Sequence, residues 1–299
     1  MPTARLRVAG VTLALTAEPR GPALHWPAAY RPFLARRGAD VALDVRWGLP
    51  AIPRGAERLF ESGGAWACYA VDGERWYALR TRGPARPPDR VLRLDPARAR
   101  GTLHVERGSR ARGFALAYPL DDLLFQHHLA ARGAPVIHAC GLRYRGRGLV
   151  FCGHSGAGKT TTARLWRRHA RGAVVLSDDR VVLRRVGDRV EACGTPWHGE
   201  GRFSSPLSAP LAALFFLRQA RRNALVPLGP ADAAARLMAR SFPPPWDAAG
   251  VSAVLAACAE VAARTPAYEL RFRPDAGAVE VVREALARGP SRRSTSPTR

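Results

Sequence analysis

The pattern of hydrophobic and polar residues changes character near the middle of the chain. Up to about residue 112, short alternating segments predict β-strands. Residues 66–71 and 75–79 flank Asp72-Gly73, a pair that is typical of a two-residue hairpin turn. We therefore predict a small β-rich module over residues 1–112, whose role is either to face a substrate or purely structural.

From Pro135 onwards, short apolar strands alternate with helices. Strands are predicted at residues 148–152 and 173–176, with a glycine-rich loop and a helix between them. Strand, glycine-rich loop, helix and strand in this order form the skeleton of a nucleotide-binding α/β core. We predict that this α/β (α+β) domain spans residues 113–288 and that residues 289–299 form a disordered basic tail.

The charge of the chain is strongly positive, with 47 Lys and Arg against 24 Asp and Glu, a formal net charge of +23. The arginines are spread along the whole length among Ala, Gly and Pro, which is typical of a compositional bias. Proteins that bind single-stranded nucleic acids instead combine a basic groove with interleaved aromatic residues. We therefore do not expect a nucleic-acid partner, although the charge would attract an acidic substrate or ATP.

Other global features favour a cytoplasmic protein without a membrane partner. No apolar run reaches the roughly 18 residues that a membrane span requires, and the N-terminus lacks the apolar stretch of a secretory signal. The five cysteines are scattered and form no CxxC pair. A homo-oligomer is compatible with the sequence, which does not determine the oligomeric state.

A phosphate-binding motif lies between the predicted strand and helix. Residues 153–160 read GHSGAGKT and fit the Walker A pattern G-x-x-x-x-G-K-[ST]. Glycines let such a loop turn tightly and direct N–H groups at phosphate oxygens, and the helix N-terminus adds positive charge. Lys159 is expected between the β- and γ-phosphates, and Thr160 on Mg²⁺. The predicted nucleotide-binding residues are Gly153, His154, Ser155, Gly156, Ala157, Gly158, Lys159, Thr160 and Thr161.

Lys159 is the only lysine among the 47 basic residues. The chain uses arginine wherever a general positive charge suffices. A compact ammonium group occurs only where a P-loop has to place a point charge between phosphates. The composition therefore supports nucleotide binding independently of the motif.

Two adjacent carboxylates, Asp178 and Asp179, follow the strand after this helix. One of them can hold Mg²⁺ while the other accepts a proton from a hydroxyl nucleophile. Ser177-Asp178-Asp179 could equally form a turn or a helix cap. Beside a P-loop we favour the catalytic interpretation, with Asp178 and Thr160 as the metal ligands.

Residues 136–139, the P-loop and residues 176–181 together resemble the catalytic core of HPr kinase/phosphorylase, whose wider relatives share the fold of phosphoenolpyruvate carboxykinase. The resemblance implies a P-loop domain with a mixed sheet, ATP with Mg²⁺, and phosphoryl transfer to a serine hydroxyl. It also implies that Asp179 is the catalytic carboxylate and Asp178 its metal-side neighbour, although the two could exchange roles. His138 matches a histidine beside the acceptor site; a buried strand histidine bonded to a backbone carbonyl is the alternative.

The chain departs from this family downstream of the acidic pair. The family's Gly-Ile-Ile-Asp-type loop with a catalytic arginine is absent, and residues 193–203 stand in its place. In that segment Arg202 is a candidate for neutralising the transferred phosphoryl group, and His198 or Glu200 for contacting the acceptor. A plain surface turn is the alternative. HPr itself is therefore not the expected acceptor, and the chain is more similar to the HPr-kinase-like enzymes of bacterial peptide tailoring, including lasso-peptide kinases.

Three functions follow from these features. The leading hypothesis is an ATP-dependent kinase for a serine or threonine hydroxyl in a peptide or small protein. The second replaces the peptide with a small molecule such as free serine. The third is a non-catalytic nucleotide-binding regulator, which is disfavoured because two carboxylates beside a P-loop would repel a polyanion without metal.

Overall fold

The computed structural model describes residues 3–107, 115–116 and 118–288. The chain divides into two compact units, residues 1–134 with 243–254, and residues 135–242 with 255–299. The predicted boundary between residues 112 and 113 lies outside the described residues, as does the predicted tail at 289–299.

The first unit is built on one eight-stranded sheet of order β1-β2-β3-β8-β7-β6-β5-β4. Its strands are β1 Thr3–Val8, β2 Val11–Ala17, β3 Val41–Trp47, β4 Glu57–Ser62, β5 Trp66–Val71, β6 Glu74–Leu79, β7 Arg90–Leu94 and β8 Arg100–Val105, with a 3₁₀ turn at Ala28–Phe33 and helix α1 at Leu120–Ala130. Asp72 and Gly73, with φ of 48° and 82°, form the predicted turn between β5 and β6. The β-rich character expected of the N-terminal region is therefore observed.

The second unit combines a mixed sheet with helices. Its elements are β9 Val136–Tyr144, β10 Arg147–Cys152, α2 Lys159–His169, β11 Val174–Ser177, β12 Arg180–Val186, β13 Arg189–Cys193, β14 Ser208–Gln219, β15 Ala224–Pro227, α3 Pro230–Met238, α4 Ala248–Arg264, β16 Ala267–Phe272 and α5 Gly277–Arg288. The division between the two units falls within α4. Together the units have a mixed α/β architecture, as predicted.

The strand order in the second unit brings three parallel strands side by side. The sheet runs β10-β9-β12-β13-β14-β16-β15, with β11 paired to β9. Strand β10 also pairs in parallel with β14, and β14 pairs in parallel with β16. Because parallel strands end at the same edge, the segments that follow β10, β14 and β16 lie together there.

An aromatic core fixes helix α2 against this sheet. Trp166 of α2 is 1% exposed, and its ring centroid lies 5.9 Å from that of Phe151 on β10. Phe151 in turn stacks on Phe215 of β14, with centroids 4.8 Å apart. Burying side chains of this size contributes a few kcal/mol each. The N-terminus of α2 is consequently held at the end of β10.

Across the part of the chain that the structure describes, no helix is both long and apolar enough to cross a bilayer.

Glycine is required at position 158 for two separate reasons. Gly158 has φ of 106°, a conformation that residues with a side chain rarely adopt. A Cβ atom there would also lie 2.5 Å from Cζ of Phe272, a buried core residue. Gly156 shares the positive φ, at 79°, but a Cβ on it would meet nothing within 4 Å.

This pair of glycines gives a matched test of the packing. Gly156→Ala should cost about 1 kcal/mol of stability, from backbone strain alone. Gly158→Ala should cost about 1–3 kcal/mol more, because Phe272 has to move. Urea unfolding of both variants measures the difference, and equal stabilities would contradict the described contact between the loop and the core.

Candidate active site

The glycine-rich loop, residues 153–158, connects the end of β10 to the first residue of α2. Within it the Ala157 N–H donates to the His154 carbonyl at 3.1 Å, which closes a tight turn. Gln219, at the end of β14, donates from Nε2 to the Gly156 carbonyl at 2.9 Å. The loop thus lies at the edge where the parallel strands end, with a helix N-terminus behind it.

Lys159 is buried beneath this loop, with 7% of its surface exposed. Its Nζ donates to the carbonyls of Gly153 at 3.2 Å and His154 at 3.1 Å. Burial lowers the pKa of the ammonium group, although the negative charge of Asp179 partly opposes this. The only lysine is therefore a desolvated cation held by the loop itself.

Asp178 is the most heavily bonded carboxylate of the site and is 1% exposed. Oδ1 accepts the N–H groups of Gly199 at 2.9 Å and Phe203 at 3.3 Å. Oδ2 accepts the N–H of Gly201 at 2.8 Å and the hydroxyl of Thr160 at 3.0 Å. The two residues predicted as metal ligands, Thr160 and Asp178, are thus in direct contact.

The glycines around Asp178 permit this arrangement. A Cβ atom on Gly201 would lie 2.6 Å from Asp178 Oδ2, and one on Gly199 would lie 3.1 Å from it. Side chains at these positions would therefore push the backbone N–H groups away from the carboxylate. Residues 199–203 form what we call the amide loop, since its backbone amides enclose Asp178.

Asp179 occupies a different environment and has 23% of its side chain exposed. Its Oδ1 accepts from Nε2 of His138 at 3.1 Å, and its Oδ2 from Nη1 of Arg180 at 3.0 Å. Burial raises the pKa of Asp179, but the bond from His138 and the charge of Arg180 outweigh it and lower the pKa below the usual value. Asp179 is therefore an accessible and ionised carboxylate.

The backbone fixes which way the two carboxylates point. Ser177 is fully buried, and its hydroxyl accepts the N–H groups of Asp179 and Arg180, each at 3.3 Å. The same hydroxyl donates to the Trp197 carbonyl at 3.0 Å. Arg180 pairs with His138 across β12 and β9, so the histidine is brought opposite Asp179. Asp178 and Asp179 form a bend between β11 and β12, and the bonds of Ser177 orient this bend.

The candidates for contacting the acceptor and for neutralising the transferred phosphoryl group lie in the segment 193–203, whose amides enclose Asp178. His198, Glu200 and Arg202 are all exposed. Arg202 has φ of 53°, and its N–H donates to the Gly199 carbonyl at 3.1 Å. The segment does reach the site, but it contacts Asp178 through backbone amides. The roles predicted for these three side chains stay predictions.

Sequence reasoning missed several residues that complete the site. Arg180 binds Asp179, and its guanidinium lies 4.6 Å from the ring centroid of Phe242. The Arg240 carbonyl accepts the His138 N–H at 2.7 Å. Arg180 directly follows the acidic pair in the sequence, so its contact with Asp179 could have been predicted from that position. Arg240 lies in a segment whose sequence carries no motif.

The donor set at Thr160 and Asp178 consists of one hydroxyl and one carboxylate. Such oxygen ligands suit a hard cation. Among the described residues, no group of three or more His, Cys, Asp or Glu side chains could hold a metal ion.

A family model described as SynChlorMet cassette protein ScmC matches residues 122–275. The match covers half of the chain, and the protein therefore belongs to the ScmC family. No curated protein matches the chain. Among solved structures, the Hpr(Ser) kinase/phosphatase from Coxiella burnetii is similar over 51% of this chain and 91% of that chain, with 10% identity and a TM-score of 0.33. A likeness of this degree carries no argument about activity.

The hydrogen bonds of Asp178 predict how the amide loop responds when the negative charge of this carboxylate is removed. Asp178→Asn replaces an acceptor oxygen with an NH₂ group facing backbone N–H groups, which should cost about 1–3 kcal/mol. The loop should then open more often, and trypsin should cleave faster after the exposed Arg202. Asp179→Asn is the matched control, because Asp179 accepts no hydrogen bond from the loop amides. Equal cleavage rates in both variants would contradict the described role of Asp178.

The burial of Lys159 predicts an alkaline titration below the usual value of 10.5. Because burial disfavours the charged form, the ammonium should lose its proton at a lower pH than an exposed lysine does. Labelling with ¹³Cε-lysine gives one side-chain resonance, since the chain has a single lysine. Its midpoint is compared with that of the same protein unfolded in guanidinium chloride. A folded midpoint equal to or above the unfolded one would contradict the desolvation of Lys159.

Proposed function

We propose that the protein is an ATP-dependent phosphotransferase that phosphorylates a serine or threonine hydroxyl of a peptide or small protein. One observation carries the proposal: two adjacent carboxylates at the glycine-rich loop have separate environments. Asp178 contacts the loop-helix hydroxyl of Thr160, and Asp179 contacts His138. A metal ligand and a proton acceptor next to a phosphate-binding loop are what phosphoryl transfer to a hydroxyl requires.

The glycine-rich loop fits the phosphate groups of a nucleotide. Open space lies where a side chain at Gly156 would be, so a ligand can approach the backbone there. The N-terminus of α2 points its partial positive charge at the same place. The Lys159 ammonium, which binds the loop carbonyls, is available to exchange these bonds for bonds to phosphate oxygens. These features support ATP as the phosphate donor.

Thr160 and Asp178 would hold Mg²⁺ if the ion binds with the nucleotide. Magnesium is usually bound through one or two carboxylates together with phosphate oxygens and water, so a hydroxyl and a single carboxylate suffice. The bound ion would supply positive charge at the phosphates. The Asp178 carboxylate would give up its bond from Thr160, while the amides of Gly199, Gly201 and Phe203 keep it oriented.

The difference in burial supports Asp179, rather than Asp178, as the base. Asp178 is 1% exposed and already accepts four hydrogen bonds, so little of its carboxylate is open to a substrate hydroxyl. Asp179 is partly exposed and ionised, and its Oδ1 is held by His138. We therefore assign Asp179 as the group that accepts the hydroxyl proton and His138 as the residue that positions it.

Substitution of the two charged groups tests the proposal. With Mg-ATP and Ser-containing peptides, the wild type should add one phosphate, detected as a gain in peptide mass. Lys159→Ala and Asp179→Asn should each reduce this transfer by about 10²-fold or more, with the fold intact by circular dichroism. Asp188→Asn, an exposed aspartate of the β12–β13 turn, is the control and should retain full activity.

Two outcomes would overturn the proposal. Full turnover by Lys159→Ala or Asp179→Asn would show that the site is misassigned. ATP binding without transfer to any hydroxyl acceptor would favour a nucleotide-binding regulator instead.

A further inference from the structure

Three arginines surround one buried glutamate on the second unit's sheet. Glu269 of β16 has only 9% of its side chain exposed, and its carboxylate accepts from Arg271 at 2.8 Å, Arg236 at 3.1 Å and Arg218 at 3.3 Å. The arginine side chains themselves are 45%, 43% and 64% exposed. We call Arg218, Arg236 and Arg271 the arginine cluster.

The arginine cluster carries more positive charge than the glutamate balances. Three guanidinium groups against one carboxylate leave an excess of two charges. Each guanidinium has five N–H donors, and the contacts with Glu269 use one donor of each arginine. The bond from Arg271, with those from Arg236 and Arg218, lowers the Glu269 pKa to about 2, so the glutamate keeps the arginines in place at neutral pH.

Two members of the arginine cluster lie on the strands that contact the glycine-rich loop. Arg218 and Arg271 lie opposite each other in the parallel register of β14 and β16. The next residue on β14, Gln219, donates to the Gly156 carbonyl at 2.9 Å. The next residue on β16, Phe272, is the ring that packs under Gly158. Because successive side chains of a strand point to opposite faces of the sheet, Arg218 and Arg271 lie on the face opposite Gln219 and Phe272, one residue before the positions that contact the loop.

The third arginine connects the cluster with the other half of the site. Arg236 lies in the last turn of α3, and its guanidinium is 6.0 Å from the ring centroid of Phe216. Four residues later, the Arg240 carbonyl accepts the His138 N–H at 2.7 Å. The arginine cluster therefore lies on β14, β16 and α3. The two strands carry the residues that contact the glycine-rich loop, and α3 leads to Arg240, which bonds to the strand of His138.

We propose that the arginine cluster binds an acidic side chain of the acceptor peptide and so selects peptides with a carboxylate near the phosphorylated hydroxyl. The inference rests on the proposed function, because the acceptor has to reach Asp179. Exposed guanidinium groups fixed by a buried anion are preorganised for carboxylates, which they bind through parallel N–H bonds. Preorganisation reduces the ordering cost of binding.

A nucleic acid is the less favoured ligand. Its backbone carries a row of phosphates and is bound by an extended basic groove, often with stacked aromatic rings. The arginine cluster is compact and has a carboxylate at its centre, which would repel a continuous polyanion. Two excess charges suit one or two carboxylates.

The test measures peptide binding without ATP, so that it does not depend on catalysis. Two fluorescent peptides contain one Ser and differ only in flanking Glu or Gln residues. By fluorescence anisotropy, the wild type should bind the acidic peptide about tenfold more tightly than the neutral one. Arg218→Gln and Arg236→Gln should each weaken acidic-peptide binding about two- to fivefold and leave neutral-peptide binding unchanged. Arg218→Lys should retain most of the preference.

Arg185 provides the matched control, because it is also 64% exposed and also pairs with a glutamate, Glu260, at 3.5 Å. Arg185→Gln should leave both affinities unchanged. Equal binding of the two peptides by the wild type, or an equal loss in the Arg185→Gln variant, would overturn the inference. So would tighter binding of a single-stranded RNA oligonucleotide that is lost in Arg218→Gln.

A second measurement separates this inference from the proposed function. In the phosphorylation assay, Arg218→Gln should raise KM for the acidic peptide and leave kcat and ATP affinity unchanged. Acidic peptides that bind through the cluster but are never phosphorylated would support the inference and contradict the kinase proposal. If the acidic and neutral peptides are phosphorylated with the same KM, and Arg218→Gln does not change it, the kinase proposal would be supported and the inference overturned.

Discussion

A buried carboxylate has to be fully satisfied by hydrogen bonds, and Asp178 meets this demand with groups from two other segments. Thr160 at the start of α2 and the amide loop donate to its two oxygens. Leaving such a charge unpaired would cost several kcal/mol, so the segments are constrained to stay together. The glycine-rich loop and the amide loop are thereby held at one point, where we propose that a metal ion binds with a nucleotide.

Asp179, the next residue along the chain, has surroundings that differ from those of Asp178. Asp179 is partly exposed and contacts cationic or hydrogen-bonding side chains, His138 and Arg180, whereas Asp178 contacts backbone amides and a hydroxyl. Two groups of the same type therefore have different surroundings, and the proposed roles of metal ligand and proton acceptor rest on that difference. The arginine cluster adds an excess of positive charge around Glu269 in the same unit.

Local signals in the sequence predicted much of the second unit. The glycine-rich loop between β10 and α2, and the strand β11 that follows this helix, were predicted from local patterns. Contacts made by backbone amides could not be predicted, because the N–H groups of Gly199 and Gly201 carry no residue-specific signal. The arginine cluster was hidden for another reason: in a chain with 47 basic residues, three arginines that meet around Glu269 look like any others.

The central claim is that this site binds a magnesium nucleotide against Lys159. The single resonance of a ¹³Cε-lysine-labelled sample reports this directly, because no other lysine contributes. Titration with ATP should shift this resonance until the site is saturated. Adding Mg²⁺ should lower the Kd for ATP in the wild type, whereas in Asp178→Asn the Kd for ATP should not respond to Mg²⁺. A resonance that is unchanged at millimolar ATP and Mg²⁺ would contradict the account.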